Sequence, residues 1–400
     1  MREINFQNVN FLNNRANMLS GNLLPMTVDN SFPMFWRIYR AVVWSIELIH
    51  AIGLIAGLIV SPKEKALKDG IISVVVITEA TFLLAGIYTR KKLTTQVIGK
   101  MNDLLQTADE IMVNIVKTTL KPIIMPFIIY GVASVISVTI WTIHPIVLVF
   151  EKTTFYYVDY NLPAAFSPEP FSVGVLIPST IIMTLGGVYL FLRKYSLDVY
   201  MMHLVLMLTA QYRYIAIKLA LLFDSSQQGN SDNSRKKHHP LTDSWTKKEL
   251  RALCQQQNNI LFISIMLRKL LSVNFSLLYL NSVFRFCFLG ILMTTIPSLT
   301  LAEGISILSF AAGSVMQFYL LCSSVQTLSD ASAEITDKAF GESWYEFQPS
   351  VQRMFILLLL SNNLECKIAA VEKFNLSLPS FMAIMNQSYS IALLFLKANK

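Results

Sequence analysis

Charged residues are scarce in this sequence, and cysteines are scarcer still. Only 14% of the 400 residues are charged and 54% are hydrophobic, a balance typical of polytopic membrane proteins rather than soluble domains. All four cysteines fall in predicted spans or on the predicted cytoplasmic side, so the outer loops are expected to carry no disulfide. The N-terminal segment also lacks the continuous apolar run of a secretory signal. The first span is therefore expected to direct membrane insertion itself.

Catalytic and metal-binding patterns are missing as well. The sequence has no Gly-rich phosphate loop, no GxSxG elbow and no pair of carboxylates predicted to share a cleft. His238 and His239 adjoin a basic run and are interpreted as part of a solvated segment, because their spacing does not suggest zinc. We therefore expect no enzyme activity, no cofactor and no metal. The net charge of +8 is expected from cytoplasmic loops, so nucleic acid is not an expected partner.

Seven long apolar stretches are present, and the last runs from Phe374 to Leu396 without a charge. About 20 apolar residues in a helix cross the roughly 30 Å hydrocarbon layer, where only internally hydrogen-bonded backbone is tolerated. The sequence therefore predicts an all-α, polytopic membrane protein with seven transmembrane helices. They are placed at residues 41–60, 71–88, 123–150, 171–192, 270–301, 304–329 and 374–396.

The basic residues orient these spans. Of the 33 Lys and Arg residues, 26 fall on the N-terminal side of the membrane, six fall on the other side, and Arg285 lies within a span. Positive charge marks the cytoplasmic side, so we predict a cytoplasmic N-terminus and an extracellular C-terminus. A G-protein-coupled receptor has the opposite orientation.

The fourth span is predicted to continue as a helix into the cytoplasm, because apolar residues recur at helical spacing between Arg193 and Phe223. Residues 224–243 are polar and are predicted to break that helix. Helices this apolar outside the membrane need partners, which predicts a cytoplasmic bundle between subunits. The predicted segments are 1–40 (cytoplasmic), 41–222 (helices 1 to 4 with the pocket), 223–269 (cytoplasmic loop and helix), 270–329 (helices 5 and 6), 330–373 (cytoplasmic anchor) and 374–400 (pore-lining helix 7).

The C-terminal third carries a specific order of motifs. Gly341 and Trp344 precede RMFILLLL at 353–360, AAVEKFNLSLPSF at 369–381 and NQSYS at 386–390. This ending resembles that of insect odorant receptors, specifically over about 334–400 and elsewhere in size, span number and orientation. SYS stands where the obligate coreceptor of that family has TYF, and the insertion before the fifth span is short, so the chain resembles a ligand-recognising tuning subunit.

The resemblance implies an odorant-gated, nonselective cation channel in the plasma membrane of the olfactory sensory neuron dendrite. It implies a heterotetramer with the odorant coreceptor, a pore lined by the last helix and a small volatile ligand. Another signalling route, as in gustatory-type channels or G-protein-coupled receptors, stays open. A secondary transporter would need interrupted spans repeated in two halves, which are not evident.

Candidate ligand-binding residues lie in the outer halves of the spans. Ser134, Ser137 and Trp141 share one helical face, which suits either close helix packing or a cavity wall, and their spacing resembles the pocket-facing positions of the family. Glu79 is a candidate because an intramembrane carboxylate is costly, although a buried Glu bonded to a neighbouring helix is the alternative. The predicted ligand-binding residues are Val75, Thr78, Glu79, Phe82, Ser134, Ser137, Trp141, Leu176, Ser179, Thr180, Met183, Ile307, Phe310 and Ala311.

The last helix carries an uncharged stripe that we predict to line the pore. Tyr389, Ala392 and Leu396 recur at helical spacing with Phe395 on the flank. A narrow ring of such side chains gates ions by dewetting. The family usually has Val or Leu in this region, so Ala392 departs from it. The same stripe would also suit packing against lipid or against other spans.

Overall fold

A computed structural model gives the fold of the chain. It describes residues 4–27, 32–66, 70–106, 108–231, 240–295, 301–341, 344–346, 348–362, 369–371 and 374–398. The helices are α1 (Phe6–Val9), α2 (Phe11–Leu19), α3 (Met34–Val60), α4 (Lys63–Lys65), α5 (Ile71–Thr89), α6 (Lys91–Gln106), α7 (Glu110–Ile143), α8 (Val173–Ser231), α9 (Pro240–Thr295), α10 (Leu301–Gly341), α11 (Pro349–Asn362) and α12 (Leu378–Ala398). Two small antiparallel hairpins pair β1 (Thr154–Phe155) with β2 (Phe171–Ser172) and β3 (Ala369–Val371) with β4 (Phe374–Asn375).

The membrane helices agree with the predicted spans, and α5 is followed by α6 at a bend of 71°. By length and composition, the described residues contain five helices able to cross a membrane, or six if the bent pair is one span. The remaining candidate is α12, which has 21 residues. Its hydropathy is lowered by Asn386, Gln387 and Ser388, although it has no charge before Lys397. Together these helices form a predominantly α-helical membrane protein with seven spans.

Four predicted boundaries differ in detail from the observed elements. The third span leaves the α-helix at Ile143 and continues as a 3-10 helix, His144–Phe150, which begins next to Pro145. Residues 171–172 and 374–375 form strands, so the fourth and seventh helices begin later than predicted. The polar break at 224–243 is narrower than predicted, because α8 runs to Ser231 and α9 begins at Pro240; the residues between them lie outside the described ranges.

Below the membrane, the inner half of α8 is the centre of the fold. Its side chains from Tyr195 to Leu208 are nearly all buried, packed between α1, α2, α7, α9 and α10. Partners for this apolar helix were predicted in other subunits, whereas the structure supplies many of them within the chain. His203 illustrates the packing, because its ring contacts Phe6 and lies 3.3 Å from the amide of Asn10.

A polar contact ties the start of α7 to the inner part of α8. The side chain of Asp109 caps α7 by accepting the Met112 N–H at 2.9 Å, and it forms an ion pair with Lys218 at 2.6 Å. Burial alone would raise the pKa of Asp109, but the hydrogen bonds from Lys218 and Met112 outweigh it and lower the pKa. The carboxylate therefore stays charged and keeps the two helices in register.

Candidate functional site

An elongated cavity of about 390 Å³ lies within the membrane part of the helix bundle. Side chains from α3, α5, α7, α8, α10 and the loop that follows α7 line it. Of the predicted ligand-binding residues, those that line it are Ser134, Ser137, Trp141, Ile307 and Phe310. Most of the wall is apolar, as in sites that bind small organic ligands.

The face of α7 that carries Ser134 and Ser137 opens onto the cavity because the helices opposite present glycines. A Cβ added to Gly313 of α10 would meet the Ser134 hydroxyl at 3.5 Å, and one added to Gly187 of α8 would meet Val138 at 3.4 Å. Without side chains at these two positions, the space between the helices stays open. Ser134 and Ser137 thus line the cavity, while Ser134 and Val138 also lie close to the glycine positions of the neighbouring helices.

The outer end of the cavity is closed by the loop between α7 and α8. Pro145 has no N–H to bond to the carbonyl of Trp141, four residues earlier. The amide of Asn161 donates to that carbonyl instead, at 2.7 Å, and both Asn161 and Leu162 line the cavity. The hydrogen bond from Asn161 thus attaches the loop to α7 at a carbonyl that has no donor within the helix.

The same loop packs on the first transmembrane helix. The Ala165 N–H donates to the Gly53 carbonyl at 3.2 Å, and the Phe166 ring lies over Gly53. At Gly57 the backbone of Pro163 and Ala164 approaches so closely that an added Cβ would lie 2.2 Å from the Ala164 nitrogen. The loop and the outer ends of the helices share one apolar cluster that includes Leu54, Phe155, Tyr160, Phe171 and Leu176.

We expect Gly57→Ala to loosen this loop and to weaken responses to every ligand of the cavity. The new methyl group would collide with backbone rather than with a flexible side chain, so the loop must move. The measurement is protease sensitivity of the loop on intact cells together with ligand potency. Gly174→Ala is the control, because a Cβ there meets only the Ser172 hydroxyl at 3.6 Å. Equal behaviour of the two variants would contradict the role of this contact.

The inner end of the cavity is polar. Lys194 of α8 and Gln317 of α10 line it, and the Lys194 ammonium donates to the Gln317 side-chain carbonyl at 2.8 Å. Gln317 also accepts from Arg285 at 3.0 Å and donates to Asp198 at 2.7 Å. The Glu79 carboxylate lies 3.3 Å from Lys194 and 3.5 Å from Arg285. Two acids and two bases therefore form a buried, charge-balanced network across α5, α8, α9 and α10.

The network shows that Glu79 lies outside the cavity lining and that Lys194 lies at the cavity rather than in the cytoplasmic extension. Glu79 does not line the cavity but is held by the two cations and by the Asn281 amide. Arg285 pairs with polar groups between helices, as its position in a span suggested. Lys194 and Asp198 were interpreted as part of the cytoplasmic extension, whereas both are buried at the inner end of the cavity.

The other predicted ligand-binding residues lie outside the cavity lining. Thr78 and Phe82 are exposed on the surface of the helix bundle, and Val75 is partly buried. Leu176, Ser179 and Met183 pack under the outer loop, where Ser179 bonds with the Tyr160 hydroxyl. Thr180 and Ala311 are buried between helices. Sequence reasoning did not single out most of the cavity lining, including His50, Tyr130, Asn161 and Phe191.

The predicted pore stripe is divided in this packing. Ala392 is 6% exposed and lies against Gly290 of α9, where an added Cβ would sit 2.6 Å from its methyl group. Tyr389 is 66% exposed and free of such packing. The side chains of Phe395 and Leu396 lie outside the described part of the structure. A pore-lining role for α12 stays a prediction, with Ala392 turned toward its own subunit.

These features define a class of protein: a seven-helix membrane protein with a ligand-sized cavity closed by a folded outer loop. The sequence profile of the family described as 7tm Odorant receptor matches residues 76–389, and the chain therefore belongs to that odorant receptor family. The resemblance seen in the C-terminal motifs is confirmed.

Individual relatives are distant in sequence and close in fold. Odorant receptor 85f of Drosophila melanogaster is 21% identical over 271 residues, which cover 68% of this chain and 65% of that receptor, just under two thirds of its length. The insect olfactory receptor OR5 from Machilis hrabei superimposes with a TM-score of 0.74 at 12% identity, covering 96% of each chain. OR5 in complex with eugenol gives 0.72 at 13% identity, covering 95% of this chain and 96% of OR5. At such identities the likeness shows the fold alone.

Proposed function

We propose that this chain is the ligand-recognising subunit of an odorant-gated, nonselective cation channel that it forms with the odorant coreceptor. The channel is proposed to be a heterotetramer in the plasma membrane of olfactory sensory neuron dendrites. The observation that carries the proposal is the cavity of about 390 Å³, walled by Ser134, Ser137 and Trp141, in a chain of the odorant receptor family. The complex of the structurally similar OR5 with eugenol supports a small volatile ligand.

The proposed ligand is mostly apolar, because the walls of the cavity are. Burial of roughly 200 to 300 Å² of such a molecule contributes on the order of 5 to 7 kcal/mol at about 25 cal/mol per Å². This free energy corresponds to binding in the micromolar range or weaker. A volatile messenger that must be released quickly suits that affinity.

The proposed route from ligand to pore runs through α9. Arg285 of α9 bonds to Gln317 at the inner end of the cavity. Gly290, five residues further along the same helix, lies against Ala392 of α12. A ligand that shifts Gln317 would therefore act on the helix against which α12 packs.

Patch-clamp recording tests the proposed function. Cells expressing this chain with the coreceptor should give cation currents to an odorant panel, and cells expressing either subunit alone should not give the same odorant profile. Surface labelling of both subunits serves as the control. Surface-expressed complexes that respond to no odorant, or responses through a second messenger without a channel current, would contradict the proposal.

Trp141→Ala is expected to change odorant potency and rank order while surface expression stays near normal. The ring lines the outer end of the cavity and supplies its largest aromatic surface. Ser137→Leu, on the same wall, is expected to reduce the size of the largest active ligand because it fills the cavity. Dose responses to a panel graded by size measure both effects. Wild-type responses from both variants would show that these residues only pack.

A further inference from the structure

We infer that the preferred odorant is a neutral molecule with a hydrogen-bond acceptor, such as an aldehyde or ketone carbonyl, at one end. This inference rests on the proposed function and specifies its ligand class. The carbonyl is placed at the inner end of the cavity, beside Tyr130, Lys194 and Gln317.

The shape of the cavity supports an elongated ligand. Its wall on α7 extends from Tyr130 at the inner end to Trp141 at the outer end, which is about 16 Å at 1.5 Å per residue. A cavity of about 390 Å³ along this wall has room for a molecule of odorant size that lies along α7.

Hydrogen-bond donors line the inner end of the cavity. Two of the three Lys194 N–H groups bond to Gln317 and Glu79, which leaves one. The Gln317 carbonyl already accepts two bonds, while its amide donates one to Asp198 and retains a second N–H. Tyr130 also lines this end, and its hydroxyl can donate or accept. The two N–H groups of Lys194 and Gln317 can only donate, so this end favours a ligand oxygen that accepts.

The charges at this end exclude ionised ligands. Glu79 and Asp198 balance Lys194 and Arg285, so a carboxylate would add a negative charge with no partner, and an amine would face the Lys194 ammonium. The free oxygen of Glu79 is not in the cavity lining and cannot receive such an amine. A neutral carbonyl meets the donors without disturbing the balance.

His50 is the competing polar position. Its Nδ1 has no partner among the described residues, and its ring lines the cavity. It lies against Gly186, nearer the outer end than Lys194. The His50 ring donates to the Met183 backbone, so the unpartnered Nδ1 of the neutral ring is an acceptor and would favour alcohols over carbonyl compounds. The two positions therefore predict different selectivity.

The experiment records currents of the receptor and coreceptor for one chain length carrying different ends: hydrocarbon, alcohol, aldehyde, central ketone, carboxylate and amine. The aldehyde is expected to be roughly 10- to 100-fold more potent than the hydrocarbon, the range for hydrogen bonds to charged groups. The central ketone and alcohol should be intermediate, and the carboxylate and amine inactive. A flat series, or a preferred acid or amine, would overturn the inference while leaving the proposed function intact. No current to any odorant would remove both.

Variants locate the carbonyl. Tyr130→Phe leaves the ionic network intact and should lower aldehyde potency roughly 2- to 10-fold without affecting the hydrocarbon. Lys194→Met combined with Glu79→Leu removes the ammonium and keeps the remaining charges balanced. In this double variant the aldehyde and the hydrocarbon should have nearly equal potency. His50→Leu is the control and should retain the ratio. If His50→Leu abolishes the preference and Tyr130→Phe retains it, the inner end is not where the carbonyl binds.

Discussion

Glu79→Leu is expected to remove most of the receptor from the cell surface and the odorant current with it. The buried Lys194 and Arg285 both lie within 3.5 Å of the Glu79 carboxylate. Removing one partner of a buried ion pair costs roughly 3–5 kcal/mol, because the remaining charge is left uncompensated. Here two cations lose that partner at once and keep only Asp198. Surface biotinylation measures the loss, and whole-cell current with the coreceptor follows it.

A charge-balanced rescue tests the cause. Glu79→Leu combined with Lys194→Met leaves one acid and one base, so part of the surface level should return. Glu334→Ala is the control for losing a carboxylate as such, because Glu334 pairs with Lys338 at 3.1 Å with both side chains about a third exposed. An exposed pair of this kind is worth only about 0–1 kcal/mol. If the double variant is no better than Glu79→Leu, charge balance is not what the network provides.

The fold was largely predictable because the sequence features that specify it, above all the apolar runs, extend over many residues. A run of about 20 apolar residues has few alternatives in a membrane, and the distribution of Lys and Arg orients the spans. Boundaries were less predictable. The exit of α7 into a 3-10 helix at His144 depends on Pro145 and on Asn161, which replaces the lost backbone bond from the far side of a loop. Only the folded loop makes that compensation visible.

The site was predictable where one helix face decides it and unpredictable where several helices meet. The spacing of Ser134, Ser137 and Trp141 placed all three on the cavity wall. The face of α5 that lines the cavity was not predicted, because this strongly apolar helix exposes Thr78 and Phe82 on the bundle surface without a clear periodic signal in its sequence. Lys194 follows Arg193 at the end of a span and therefore resembled an ordinary cytoplasmic charge. The signal that could have placed it was the presence of four balancing charges in three apolar helices, with Glu79 and Arg285 well inside their predicted spans.

Gly290→Ala is expected to lower the maximal odorant current strongly while the rank order of odorants stays unchanged. The new methyl group would lie 2.6 Å from the Ala392 methyl, closer than carbon atoms approach, so α9 and α12 must separate. If α12 lines the pore, as proposed, α9 stands behind it and the separation drives α12 toward the pore axis. A narrower apolar neck holds water less well and conducts less. Maximal current per surface receptor, with the coreceptor present, measures the effect.

A compensating substitution distinguishes the effect of the contact between Gly290 and Ala392 from general damage to folding. Ala392→Gly removes the methyl group that Gly290→Ala would meet, so the double variant should regain most of the current. Two changes in direct contact are expected to be non-additive, and their coupling is the quantity of interest. Leu394→Ala is the control on the same helix, because Leu394 is exposed and does not pack against Gly290. Additive losses in the double variant, or an unchanged maximal current in Gly290→Ala at normal surface level, would show that the distance between α9 and α12 does not set conduction.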